Sequence, residues 1–70
     1  MQYITKQRFE EIEYCWLDMD EYHKKLKEYT GIQVRRYVAY QYFDNYGNYI
    51  GDSSTSGLED LLDAAHIEVI

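Results

Sequence analysis

Residues 35–51 read RRYVAYQYFDNYGNYIG, and the arrangement of the whole chain turns on where that run bends. Asp44-Asn45-Tyr46-Gly47 fits a type I turn followed by a glycine in the left-handed region, the usual three-residue hairpin connection with a bulge. Upstream, from Ile32, apolar residues alternate with a period of two. Ile32, Val34, Val38, Tyr40 and Tyr42 fall on one face, interrupted by Arg36, and Gln33, Arg35, Tyr37, Ala39, Gln41 and Phe43 fall on the other. This predicts one strand from Ile32 to Phe43 and a second from Asn48 to Asp52. With Asp44 opposite Asn48, Phe43 faces Tyr49 on one side of the sheet and Tyr42 faces Ile50 on the other.

On the N-terminal side the period changes to 3.6. Thr5 is a suitable N-cap, and Phe9, Ile12, Trp16, Met19, Tyr22, Leu26 and Tyr29 follow at spacings of three and four, one face of a helix. Gly31 can close that helix in the left-handed conformation, and Lys24, Lys25 and Lys27 suit the negative end of its dipole. The pattern predicts a helix from Lys6 to Tyr29, about 36 Å long. A break near Asp18 to Asp20, with Asp20 capping a second helix, is the alternative.

On the C-terminal side Asp52-Ser53-Ser54-Thr55 reads as a loop, and Ser56-Gly57-Leu58-Glu59 matches the S-x-x-E capping box. Leu58, Leu61, Leu62 and Ala65 form a short apolar stripe. Ile67 to Ile70 reads as a last strand, separated from the hairpin by a crossover helix, so a parallel pairing with its predecessor through a right-handed connection is expected. The order is α-β-β-α-β: an α+β two-layer sandwich, with a three-stranded sheet and both helices on one face. Residues 1–70 read as one small domain.

A chain of 70 residues buries only about 60% of the surface its unfolded form exposes, and small folds compensate with disulfides, a metal or a partner subunit. The single cysteine, Cys15, rules out an internal disulfide, and the absence of a CxxC pair removes the usual zinc arrangement. A homodimer is the remaining remedy. No apolar run approaches the roughly 20 residues of a membrane span, no signal peptide is visible, and a lone cysteine suits a reducing compartment. These features predict a cytoplasmic protein that does not engage membranes.

The net charge is −6, distributed unevenly. Glu10, Glu11, Glu13, Asp18, Asp20 and Glu21 form one run without a base, and Asp44, Asp52, Glu59, Asp60, Asp63 and Glu68 form another; Lys24, Lys25, Lys27, Arg35 and Arg36 gather between them. This balance disfavours nucleic acid, whose non-specific affinity comes from neutralised phosphates.

No catalytic, cofactor or metal motif appears. Cys15 and His23 are eight residues apart, about 12 Å along a continuous helix, and Cys15 reads as a buried structural residue. Cys15, His23 and His66 show no ligand spacing. The DNYGNYIGD run lacks the closing glutamate of an EF-hand. The chain fails the nucleophile, base and stabiliser test of an enzyme.

What remains is binding. Tyr37, Phe43 and Tyr49 around Arg35 have the composition of an interface core on an open sheet face, since tyrosine and arginine are enriched at hot spots. Glu10, Glu13, Asp18 and Asp60 are candidate charged contributors. The expected partner is another protein, and the size and charge resemble those of phage and mobile-element inhibitors, which can imitate the phosphates of a duplex to occupy a basic site. The alternatives are single-stranded nucleic-acid binding, with Tyr37, Phe43 and Tyr49 stacking bases, and a homodimeric structural role.

Overall fold

In the computed structural model, which describes residues 2–70, the chain forms β1 (Gln2–Ile4), α1 (Lys6–Glu13), α2 (Met19–Thr30), β2 (Gln33–Arg36), β3 (Tyr40–Phe43), β4 (Tyr49–Asp52), α3 (Leu58–Ala64) and β5 (Ile67–Val69). The mixed α+β class stands. Helix, hairpin, helix and terminal strand follow one another in the expected order, with β1 added before them; a three-stranded sheet is present, but as β2-β3-β4 and without the last strand.

The long helix is broken, as in the alternative reading, with Asp18 and not Asp20 as the cap. Thr5 accepts a hydrogen bond from the Arg8 N–H at 3.2 Å, and Asp18 Oδ1 accepts from the Glu21 N–H at 3.2 Å. Each side chain thereby satisfies a backbone donor that the first turn of its helix leaves open. A continuous helix of about 36 Å would also exceed the molecule's longest extent of 33 Å. Folding α2 back lets Ile12 and Leu26 share one core, where both are fully buried. Gly31 closes α2 at φ 76°, as expected.

The predicted strand from Ile32 to Phe43 is itself a hairpin. Arg36 pairs with Tyr40 and Gln33 with Phe43, so Tyr37, Val38 and Ala39 form a three-residue turn. No Gly, Pro, Asn or Asp marks it. Arg36, the one break in the apolar alternation, lies at its edge. The second turn is as predicted: the Gly47 N–H donates to the Asp44 carbonyl at 3.0 Å, with Gly47 at φ 85°.

Phe43 pairs with Tyr49, but Tyr42 pairs with Gly51 and not with Ile50, because a bulge leaves Ile50 without a partner. The bulge resets the alternation. Ile50 and Gly51 both turn toward the helices, while Tyr49 and Asp52 share the outer face. Gly51 sits at φ 145°, and a Cβ there would collide with Ser56 Oγ, so both backbone and packing favour glycine.

The last strand also departs from expectation. β5 runs parallel, but to β1, with Ile4 opposite Val69 and Gln2 opposite Ile67. It does not join β4. Ile4 and Ile67 are buried with Leu58, Leu61 and Leu62 of α3. The predicted Ser56–Glu59 capping box does not form: the N-cap is Gly57, which has no side chain to accept, and only the reciprocal half remains, its N–H donating to Asp60 Oδ2 at 3.2 Å.

The helices line one face of the three-stranded sheet. Tyr42 is buried there, with Val34, Tyr40 and Ile50 packed around it. Its hydroxyl is 2.9 Å from His23 Nε2 on α2, so a half-buried polar pair bridges helix and sheet at the edge of the core. Burial pushes the Tyr42 phenol up to about 12. Burial also lowers the His23 imidazole, against a smaller opposing effect of Asp20.

Candidate functional site

Residues paired directly across antiparallel strands share a face. The register therefore places Gln33, Arg35, Gln41, Phe43, Tyr49 and Asp52 on the side of the sheet away from the helices, and none of them joins the core. Three of the four predicted site residues meet on this face. The Arg35 guanidinium lies 4.9 Å from the centre of the Phe43 ring, within cation–π reach, and the Phe43 and Tyr49 rings pack edge to face at 5.8 Å. The Tyr49 hydroxyl donates to Asp52 Oδ2 at 3.2 Å, a contact that only the bulge makes available.

Asp52 anchors the end of this row. Its Oδ1 accepts from the Ser54 hydroxyl at 2.6 Å and the Thr55 hydroxyl at 2.9 Å, and from the backbone N–H groups of Ser54 and Thr55 at 3.0 and 3.1 Å. Those donors, the Ser54 hydroxyl first, bring its carboxyl down to about 2. Loss of water around the Tyr49 phenol, reinforced by the neighbouring Asp52 charge, raises its pKa. The row Arg35–Phe43–Tyr49–Asp52 is thus a charged and aromatic strip whose side chains are ordered by one another.

Tyr37 is not part of it. It lies in the β2–β3 turn, where its N–H donates to the Ala39 carbonyl at 3.1 Å and its side chain is exposed. The predicted acidic contributors do not form one surface either. Asp18 and Asp60 cap different helices, Glu10 is half-buried on α1, and Glu13 is exposed at its end. Cys15 is half-buried in the connection between α1 and α2 rather than in the core. His66 takes the left-handed conformation, φ 58°, between α3 and β5. Among the described residues no three His, Cys, Asp or Glu side chains gather as metal ligands, and no helix is long and apolar enough to cross a membrane.

No known protein family, curated protein or solved structure matches this chain.

The helical spacing places Trp16 in the core stripe, but the break in the helix carries it outward, 65% exposed, between Tyr14 at 81% and Leu17 at 79%. Tyr37 and Val38 are likewise exposed. Chain direction puts the two groups at one end of the molecule. After Gly31 the chain returns along α2 as β2, and His23, in the first half of α2, lies 4.6 Å from the Tyr40 ring, over which Arg36 sits at 5.5 Å. The β2–β3 turn thus lies beside the start of α2, where the α1–α2 connection enters. The signal in the sequence was Asp18 followed three residues later by Glu21, the spacing of a helix start.

Proposed function

We propose that this protein is a small binding module whose outer sheet face, centred on Arg35, Phe43 and Tyr49, recognises another protein. The observation that supports this reading is the mutual ordering of those three side chains on a face that contributes nothing to the core. Rigid aromatic rings with an arginine are the residue types that dominate binding energy at interfaces, and side chains already held in place lose little further freedom on association. The strip carries both signs of charge, Arg35 at one end and Asp52 at the other, which suits an oriented partner with complementary groups.

Single-strand nucleic-acid binding would use the same rings to stack bases. It would have to overcome a net charge of −6, with Arg35 the only base among the six side chains of this face. Protein recognition is the better fit.

The test is affinity capture from lysate with the wild type beside the double substitution Phe43→Ser and Tyr49→Ser. A partner retained by the wild type and lost by the double variant, with the circular dichroism spectrum unchanged, supports the reading. A partner held equally by both places the contact elsewhere. Oligonucleotide binding that weakens as salt rises would support the nucleic-acid reading instead.

A further inference from the structure

The end of the molecule formed by the α1–α2 connection and the β2–β3 turn carries five exposed large apolar side chains, Tyr14, Trp16, Leu17, Tyr37 and Val38. Large apolar side chains exposed together at one end of a molecule mark an association surface. The surface is polarised. The connection and the helix ends that flank it hold Glu13, Asp18, Asp20 and Glu21 without a base, while the turn follows directly on Arg35 and Arg36. Among the described residues the one ion pair is Lys25 with Glu21 at 3.8 Å. Among the described residues Glu13, Asp18, Asp20, Arg35 and Arg36 therefore find no ionic partner.

A surface with an acidic apolar half and a basic apolar half is complementary to itself. In a two-fold interface the same patch serves both copies, so whatever the connection of one copy touches on the other is touched reciprocally. We infer that this end is a homodimer interface in which Trp16 and Leu17 of one copy pack against Tyr37 and Val38 of the second, with the acids around the connection facing Arg36 across the two-fold axis. The occupant is a second copy because the charge pattern matches this chain's own turn. Association also supplies the apolar burial that a chain of this length lacks. The dimer leaves both outer sheet faces open and so presents the proposed binding strip twice, which strengthens binding to any partner that offers two sites.

The test is the molar mass of the full chain by light scattering or sedimentation, beginning with the wild type and Trp16→Ala. The wild type is expected at twice 8.5 kDa, and Trp16→Ala, which alters an exposed side chain, is expected to fold normally and dissociate about 30-fold more readily. Charge reversal then tests the pairing. Arg36→Glu alone, and Glu13→Lys with Asp20→Lys together, should each weaken self-association by about tenfold or more, while an equimolar mixture of the two variants regains it as a heterodimer. A general loss of folding cannot produce that recovery. A wild type that stays monomeric at millimolar concentration overturns the inference, as does a dimer indifferent to Trp16→Ala and to both reversals.

Discussion

Two connections in this molecule join neighbouring elements over a similar length, and they are built in opposite ways. At the β3–β4 turn, Asp44 Oδ1 accepts from the N–H groups of Tyr46 and Asn48 at 2.8 and 2.9 Å, Oδ2 accepts from the Asn48 side-chain amide at 3.2 Å, and the Asp44 N–H donates to the Asn48 carbonyl at 2.9 Å. Between α1 and α2 the Cys15, Trp16 and Asp18 N–H groups donate to carbonyls three residues back and the Asp18 carboxylate caps α2, while the large side chains of the connection point to water. The first connection saturates itself. The second satisfies its backbone but leaves its apolar side chains uncovered, so its natural completion is another surface. A turn built from polar residues closes locally, whereas one built from Tyr-Cys-Trp-Leu gains most from an intermolecular contact.

The contrast can be broken most forcefully in the core. Leu61 is 1% exposed, and Leu61→Ala should cost about 2–5 kcal/mol, comparable to the whole stability expected of a domain this small. Urea denaturation should find it largely unfolded. Next in size is the closed turn: Asp44→Ala removes acceptors for two backbone N–H groups and should lower the urea midpoint measurably without changing the oligomeric state. The cap Asp18→Ala should cost about 1 kcal/mol, and should also loosen the connection that carries Trp16.

Acid titration separates the core from the turns by pH window. Burial sets the folded-state pKa of His23 below its ordinary 6.5. Protons therefore bind the unfolded chain more readily, so this contribution to stability is present above about pH 6.5 and is lost as pH falls below it. The Asp44 carboxyl is lowered, chiefly by the Asn48 N–H, and Asp52 is lowered to about 2. Their contributions are full above about pH 4 and disappear as the pH falls toward 2. Thermal melts from pH 8 to 2 should show both declines, and His23→Asn should remove only the upper one. The smallest effect is expected for Leu17→Ala, within about 0.5 kcal/mol, because that leucine is exposed in the single chain.

Elements that signal through local chemistry were legible in the sequence. Thr5, Gly31 and the Asp44–Gly47 turn each announce a backbone requirement, and the Phe43–Tyr49 pair follows from that turn. The α1–α2 break was harder to see because Trp16 keeps the three-and-four spacing whether or not the helix continues, and periodicity cannot distinguish a buried tryptophan from one carried outward. β1 is three residues long, too short for alternation to register. The Tyr37–Ala39 turn contains residues that favour strands, so β propensity concealed it. The same cause divided the candidate site. Arg35, Phe43 and Tyr49 were assigned to one face correctly because they lie in regular strands, and Tyr37 was assigned with them because its turn was not visible. The bulge that brings Asp52 beside Tyr49 depends on Gly51, whose need for φ 145° arises only once α3 packs against the strand.

Trp16, the only tryptophan in the chain, reports directly on whether the α1–α2 connection presents its apolar side chains for association. Acrylamide quenching of its fluorescence, followed from nanomolar to high micromolar protein, reads its exposure as a function of self-association. Strong quenching and a red-shifted emission are expected in dilute solution, giving way to shielding and a blue shift as the dimer forms. Shielding that is already complete at the lowest concentration in a demonstrated monomer, or exposure unchanged in a demonstrated dimer, would contradict it.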